Sequence, residues 1–220
     1  HYSYDIHGNV KQLVQDIPEL NLDAGLGGAQ KYTGPHRYKT LHYTYGLVSG
    51  NVNTVNYQRG RLEQWIHSYQ YDADNRITEA HVGANDLDMR RIARYTYYAH
   101  GPLRRVELDE AQQGLDYAYT LQGWIKGMNS EALFPANDMG GDAAPGTPQA
   151  ATPVDAFGYS LTYNASDYTA LDLTWNSTIS ANFLSKPGYD IETAINGHEL
   201  WNGNIAKSAF TLPPRSFWDP

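Results

Sequence analysis

The chain has no cysteine among its 220 residues. Disulfide frameworks, thiolate zinc centres and cysteine nucleophiles are therefore excluded. Basic charge is scarce as well: 16 Lys and Arg stand against 24 Asp and Glu, a formal net charge of -8. Nucleic-acid binding needs an excess of Lys and Arg on some face. Here the local clusters Arg90-Arg91-Arg94 and Arg104-Arg105 sit among Asp86, Asp88, Glu107 and Asp109, so no nucleic-acid partner is expected. No apolar run reaches the length of a membrane span. Helical periodicity is weak, amounting at most to a short turn over residues 87–93. Residues 136–156 almost lack large apolar side chains and read as a flexible loop or linker.

What the chain has in excess is tyrosine, with 18 copies. Tyr buries a large ring while keeping a hydroxyl for a partner, which suits a sheet whose faces are only partly dry. The pattern Tyr-x-Tyr occurs five times, at Tyr2/Tyr4, Tyr43/Tyr45, Tyr69/Tyr71, Tyr95/Tyr97 and Tyr117/Tyr119. Each copy is followed within a few residues by Gly or Asn and then by an apolar residue. The five sequels are Gly8-Asn9-Val10, Gly50-Asn51-Val52, Asn75-Arg76-Ile77, Gly101-Pro102-Leu103 and Gly123-Trp124-Ile125. Strand side chains alternate, so both tyrosines of a pair share one face. The Gly or Asn tolerates the backbone that a tight turn needs. Self-similarity at a nearly fixed spacing predicts a repeat architecture, here of β-hairpins.

Residues 1–16 read as the first hairpin, and the breaker-rich stretch near 17–36 as an insertion between repeats. Alternation over residues 61–67, 157–163 and 171–175 predicts further strands, and Asn202-Gly203 signals a tight turn. The hairpin strip is expected over 1–135, with the linker at 136–156 and a continuation of the strip over 157–220. The first motif is already under way at Tyr2, so the chain is expected to be a fragment of a much longer one.

The unit Tyr2-Ser3-Tyr4-Asp5-Ile6-His7-Gly8-Asn9-Val10 resembles the YD repeat of the RHS/YD-repeat family. Tyr69, Tyr71, Asp72, Asn75, Arg76 and Ile77 carry the same resemblance, whereas Gly46, Tyr98 and Thr120 replace the Asp in the other three copies. Leu200-Trp201-Asn202-Gly203-Asn204-Ile205 is similar to a segment of Bacteroidetes-type YD-repeat proteins. The resemblance implies an all-β fold in which repeated hairpins form a strip of a spiralling β-shell, like those of toxin-complex components and teneurins. It also implies a bacterial protein, secreted or on the cell surface, whose wall encloses, presents or delivers another part of the same polypeptide. The partners implied are the remainder of that polypeptide, an enclosed toxic domain, and a cell-surface or glycan target. Self-cleaving toxin members carry paired Asp-Pro dipeptides. Here Asp219-Pro220 stands alone, so self-cleavage by this segment is not expected.

Side-chain constellations point to no catalytic, metal or cofactor-binding residue, and no cofactor and no enzyme activity are expected. Asp72-Ala73-Asp74-Asn75 begins like a calcium loop, but Ile77 and Gly83 stand where an EF-hand needs Gly and Glu. It reads as a repeat turn. Asp138 and Asp142 around Gly140-Gly141 offer oxygens to a cation, but the favoured reading is a solvated loop. The pairs Glu107/Asp109 and Asp86/Asp88 suit glycosidase chemistry only if they flank a cleft, which ranks an enzyme third. The second reading is an adhesin or glycan-binding surface, with Trp65, Trp124, Trp175 and Trp201 as stacking candidates. The first is shell wall.

Overall fold

The computed structural model describes residues 1–18, 37–129, 133, 138–164, 167–168 and 199–212. The expected insertion (from residue 19 on), the alternation at 171–175 with Trp175, and Asp219-Pro220 lie outside the described residues. The described chain is all-β. Its strands are β1 (Tyr2–Tyr4), β2 (Val10–Asp16), β3 (Tyr38–Tyr45), β4 (Val52–Tyr57), β5 (Trp65–Tyr71), β6 (Ile77–Gly83), β7 (Arg90–Tyr97), β8 (Leu103–Leu108), β9 (Gln113–Tyr119), β10 (Ile125–Met128), β11 (Gly158–Thr162) and β12 (Lys207–Thr211). Sheet order equals chain order, in one sheet of 12 strands. Every strand thus pairs with a sequence neighbour, the arrangement short hairpin connections produce. No helix among the described residues is long and apolar enough to cross a membrane.

The chain divides into two compact units, His1–Ile92 and Ala93–Pro220. In the first unit, hairpins β1–β2, β3–β4 and β5–β6 close with the same register. The second tyrosine of each motif pairs with the apolar residue beyond the turn: Tyr4 with Val10, Tyr45 with Val52, Tyr71 with Ile77. Each pairing is preceded by a register shift at the same place, between Ser3/Tyr4, Thr44/Tyr45 and Gln70/Tyr71. An extra residue at a fixed position bends and twists a strand, so the irregularity is part of the repeat. Among the described residues of this unit the buried apolar side chains are few, namely Ile66, Ala80 and Val82. Ile6, Leu47 and Val48 stand almost fully exposed at the hairpin tips. The segment 61–67 was expected to be one strand. Instead β5 begins at Trp65, and residues 61–64 form a turn in which the Gln64 amide donates to the Arg61 carbonyl. The short helical turn at 87–93 is absent: residues 85–88 make a tight turn and β7 starts at Arg90.

In the second unit, Tyr97 pairs with Leu103 and Tyr119 with Ile125, again beside register shifts. Strand β9 alternates strictly. Gly114, Asp116 and Ala118 are buried on one face, and Gln113, Leu115, Tyr117 and Tyr119 are half-buried on the other. Between the tyrosines of the second, third and fourth motifs stand exposed residues, Thr44, Gln70 and Thr96, whereas the fifth motif buries Ala118 at that position. Met139 packs against Ala118, with Tyr168 beside it. Residues 138–156, expected to be linker, form a string of turns, and Asp138, Asp142, Thr152 and Asp155 within it are buried.

Candidate functional site

The repeat residues build one turn five times. The residue after the second tyrosine donates its amide to the carbonyl four positions on: Asp5 to Asn9, Asp72 to Arg76, Tyr98 to Pro102, Thr120 to Trp124, and, with one more residue in the turn, Gly46 to Asn51. The left-handed position of each turn is Gly8, Gly50, Asn75, Gly101 or Gly123, with φ between 62° and 116°. A side chain at such a φ is strained except for Asn and Asp, which accounts for the Gly or Asn in every copy. Where Asp is present it braces the turn. Asp72 Oδ1 accepts the amides of Asp74 and Arg76, both at 2.9 Å, and Asp5 Oδ1 accepts those of His7 and Asn9 at 2.8 and 2.9 Å. These bonds hold both carboxyls below the usual carboxylate range, chiefly through the Arg76 amide for Asp72 and the Asn9 side chain for Asp5. In the fifth copy, where Asp is missing, Thr120 Oγ1 takes over and accepts the Trp124 amide at 3.1 Å. Asp72 is thus committed to its turn. Asn202-Gly203 supplies one more left-handed glycine, at φ 82°, with Asn202 Oδ1 accepting the Asn204 amide.

Successive hairpins are joined by the tyrosine hydroxyls. Tyr45 donates to the Val10 carbonyl at 2.8 Å and Tyr71 to the Val52 carbonyl at 2.7 Å. Tyr163, just past β11, donates to the Ile125 carbonyl at 2.8 Å. In each case the acceptor is the first residue of the preceding hairpin's return strand. Burial raises the pKa of all three hydroxyls. The first tyrosines, Tyr43 and Tyr69, make no hydrogen bond through their side chains among the described residues. In the first unit the Asn51 side chain also donates to Asn75 Oδ1, at 3.0 Å, linking two turns. The ring stacking found there is between Tyr2 and Tyr4 of one strand, with centroids 6.5 Å apart.

A second recurring device carries no repeated letter. Gln58 follows β4 and Asn129 follows β10; both are fully buried and left-handed, at φ 51° and 55°. The Gln58 amide donates to the Thr40 carbonyl at 2.9 Å, while its side chain accepts from the Thr40 amide at 3.1 Å and donates to the Tyr38 carbonyl at 3.2 Å. Asn129 does the same around Asp116 and adds a bond to the Phe157 carbonyl at 2.9 Å. A carboxamide offers a donor and an acceptor like a peptide unit. These side chains therefore continue the ladder after the backbone has turned away.

On the buried face of β8 and β9 lies an acidic cluster. Arg105 stands directly across from Asp116 in the strand register. Its Nη1 donates to Asp116 Oδ2, and its Nη2 to Asp142 Oδ1 at 2.6 Å. Asp138 Oδ2 accepts the Asp142 amide at 2.6 Å. One carboxylate oxygen from each of Asp116, Asp138 and Asp142 lies within 4.8 Å of the others. Asp138 and Asp142, read from the sequence as solvated, are 3% and 1% exposed. The ion pairs with Arg105 and the absence of side chains at Gly114 and Gly140 make that burial possible. A Cβ on Gly114 would sit 2.2 Å from Asp142 Oδ2, and one on Gly140 would sit 2.2 Å from Asp116 Oδ2. Burial pushes Asp116 up to about 7 against the pull of Arg105, and raises Asp142 as well. Asp155 is pushed up to about 10, first by burial and then by the carboxylate of Asp138 that it faces.

Of the stacking candidates, Trp65 and Trp201 are exposed, while Trp124 is a packing residue. Its ring lies 5.0 Å from that of Tyr163 and covers Gly203, where a Cβ would come within 2.9 Å of it. Asp86 and Asp88 stand on an exposed turn, and Glu107 is turned toward Arg105 and Arg94.

No protein-family model and no curated protein sequence matches the chain. Among solved structures, the crystal structure of TcdB2-TccC3 without its hypervariable C-terminal region is similar, with a TM-score of 0.47 and 16% identity over 74% of this chain. The match covers 7% of that structure's chain.

Proposed function

We propose that this chain is wall: a strip of RHS/YD-type hairpin repeats in a bacterial secreted or surface protein, which encloses, presents or delivers another part of its polypeptide. The observation that carries the reading is the repeated tyrosine clasp. Each clasp fastens one hairpin to the next, so the strip grows by adding like units, and stability in such arrays comes from neighbour contacts. The small number of buried apolar residues among the described residues of the first unit suits a sheet completed by other chain, since a free-standing domain packs its sheet against a second layer. The side chains brought together serve turns, clasps and ion pairs, and the reading assigns them no catalytic role. Exposed Trp65 and Trp201 favour, as a second reading, a wall whose outside also contacts glycans.

Electron microscopy of the native particle, isolated from its source, tests the proposal. A hollow body with this sheet in its wall is the expected result. A compact particle with the mass of this chain alone would overturn it.

A further inference from the structure

We propose that Asp116, Asp138 and Asp142 form a binding site for a hard divalent cation, calcium in particular, which fastens residues 138–155 onto strands β8 and β9. This inference stands apart from the wall reading.

Geometry comes first. Calcium binds oxygen at about 2.3–2.6 Å, so two ligands on one ion lie up to about 5 Å apart. The trio's oxygens, all within 4.8 Å of one another, meet that limit. Two oxygens are also left over. Asp138 Oδ1 and Asp142 Oδ2 are buried and accept no hydrogen bond. A buried carboxylate oxygen without a donor is costly, and here two of them belong to the same cluster. Arg105 takes the other oxygen of Asp142 and one from Asp116, which orients both carboxylates. Asn129 holds the backbone of Asp116 from below through both its amide and its carbonyl.

Charge points the same way. Three buried carboxyls gather around the single guanidinium of Arg105, an excess of acid groups that a divalent ion would neutralise on binding. Asp155 lies beside the trio, where Gln113 Nε2 donates to its Oδ1 at 2.9 Å. Gly114 and Gly140 give the carboxylates room that any other residue would fill. The donors are all oxygen, which disfavours zinc and copper. Magnesium gives up its water reluctantly, whereas calcium accepts an irregular set of protein oxygens. A dry site built on a turn therefore favours calcium.

The test uses the full chain, stripped with a chelator and titrated with calcium, magnesium and zinc by calorimetry and thermal melting. Terbium luminescence, sensitised by tyrosine and competed with calcium, reads the same site independently. The expected result is one calcium per chain, a dissociation constant at or below about 1 mM, a higher melting temperature, and weaker binding of magnesium and zinc. Asp138→Asn should weaken calcium binding by at least the roughly 10–100-fold that loss of a supporting residue costs. Its metal-free melting temperature should stay level or rise, because one buried repulsion has gone. Asp74→Asn, on an exposed turn, should bind as the wild type does. No heat, no luminescence and no melting shift with wild type would overturn the proposal. So would an Asp138→Asn protein that binds like wild type. If that variant fails to fold, the terbium competition on wild type decides alone.

Discussion

The clasp tyrosines Tyr45, Tyr71 and Tyr163 should matter for stability through their hydroxyls, and the first tyrosines Tyr43 and Tyr69 should not. Replacing Tyr71 by Phe keeps the half-buried ring and removes the donor that reaches the Val52 carbonyl at 2.7 Å. A typical intramolecular hydrogen bond contributes about 0.5–1.5 kcal/mol net. The Val52 carbonyl lies at the start of its strand, where water can replace part of the loss, so about 1 kcal/mol is expected. Tyr45→Phe and Tyr163→Phe remove the equivalent bonds, at 2.8 Å each. The three clasps share no partner and should add, for about 3 kcal/mol together. At about 2–4 °C per kcal/mol for a chain of this size, the triple variant should melt about 6–12 °C lower. Tyr43→Phe and Tyr69→Phe are the controls and should stay within about 0.5 kcal/mol, as expected for substitutions that break no specific contact. Urea titration of all five single variants and the triple variant reads the pattern. Equal losses at first and second tyrosines would refute the reasoning, since the rings and not the clasps would then hold the hairpins together.

Gln58→Ala should cost about 2–4 kcal/mol, because it leaves the Thr40 amide and the Tyr38 carbonyl without the side chain that satisfies them. Chemical denaturation measures this, and a loss below about 0.5 kcal/mol would mean that water fills the place. Asp72 is held below its ordinary pKa, so it binds protons less readily in the folded chain than in the unfolded one. Its contribution is complete above about pH 4 and fades as pH falls through the lower folded value. Asp72→Asn keeps an oxygen for the turn amides and removes the titration. The variant's stability should therefore fall less steeply than wild type below pH 4 in an acid titration followed by circular dichroism. An unchanged slope would show that the turn carboxylate does not govern it.

The hairpins were legible because their determinants are local. A left-handed glycine, a paired tyrosine and an apolar residue a few positions on recur together, and register follows from them. Gln58 and Asn129 were not legible, although they do one job. That job needs a carboxamide in a buried left-handed position, which leaves two different letters with no spacing signal. The acidic cluster was hidden for another reason. Arg105, Asp116, Asp138, Asp142 and Asp155 are scattered along the chain, and only the face of β9 gathers them. Composition made residues 136–156 look like linker because small and polar residues bury little apolar surface. Here ion pairing and close approach at glycine do the burying. The paired tyrosines were expected to share a face, and what joins successive hairpins in the first unit is hydroxyl–carbonyl bonding. Alternation alone shows which face a ring shares, but not how far its oxygen reaches.

The Tyr163 clasp sits at the mouth of the longest interruption within a hairpin. On one side Tyr163 grips Ile125. On the other, the Leu200 amide donates to the Tyr163 carbonyl at 2.7 Å and the Ala206 amide to the Thr162 carbonyl at 2.8 Å, so the hairpin closes across residues 164–199. Loop-closure entropy rises by only about 0.6 kcal/mol for each doubling of length. Stretching a five-residue turn to that size thus costs about 2 kcal/mol, the worth of a couple of hydrogen bonds. Because the described grip lies at the strand ends, a hairpin of this design can serve as a splice point. Foreign sequence can enter at its tip while the strands below remain in register.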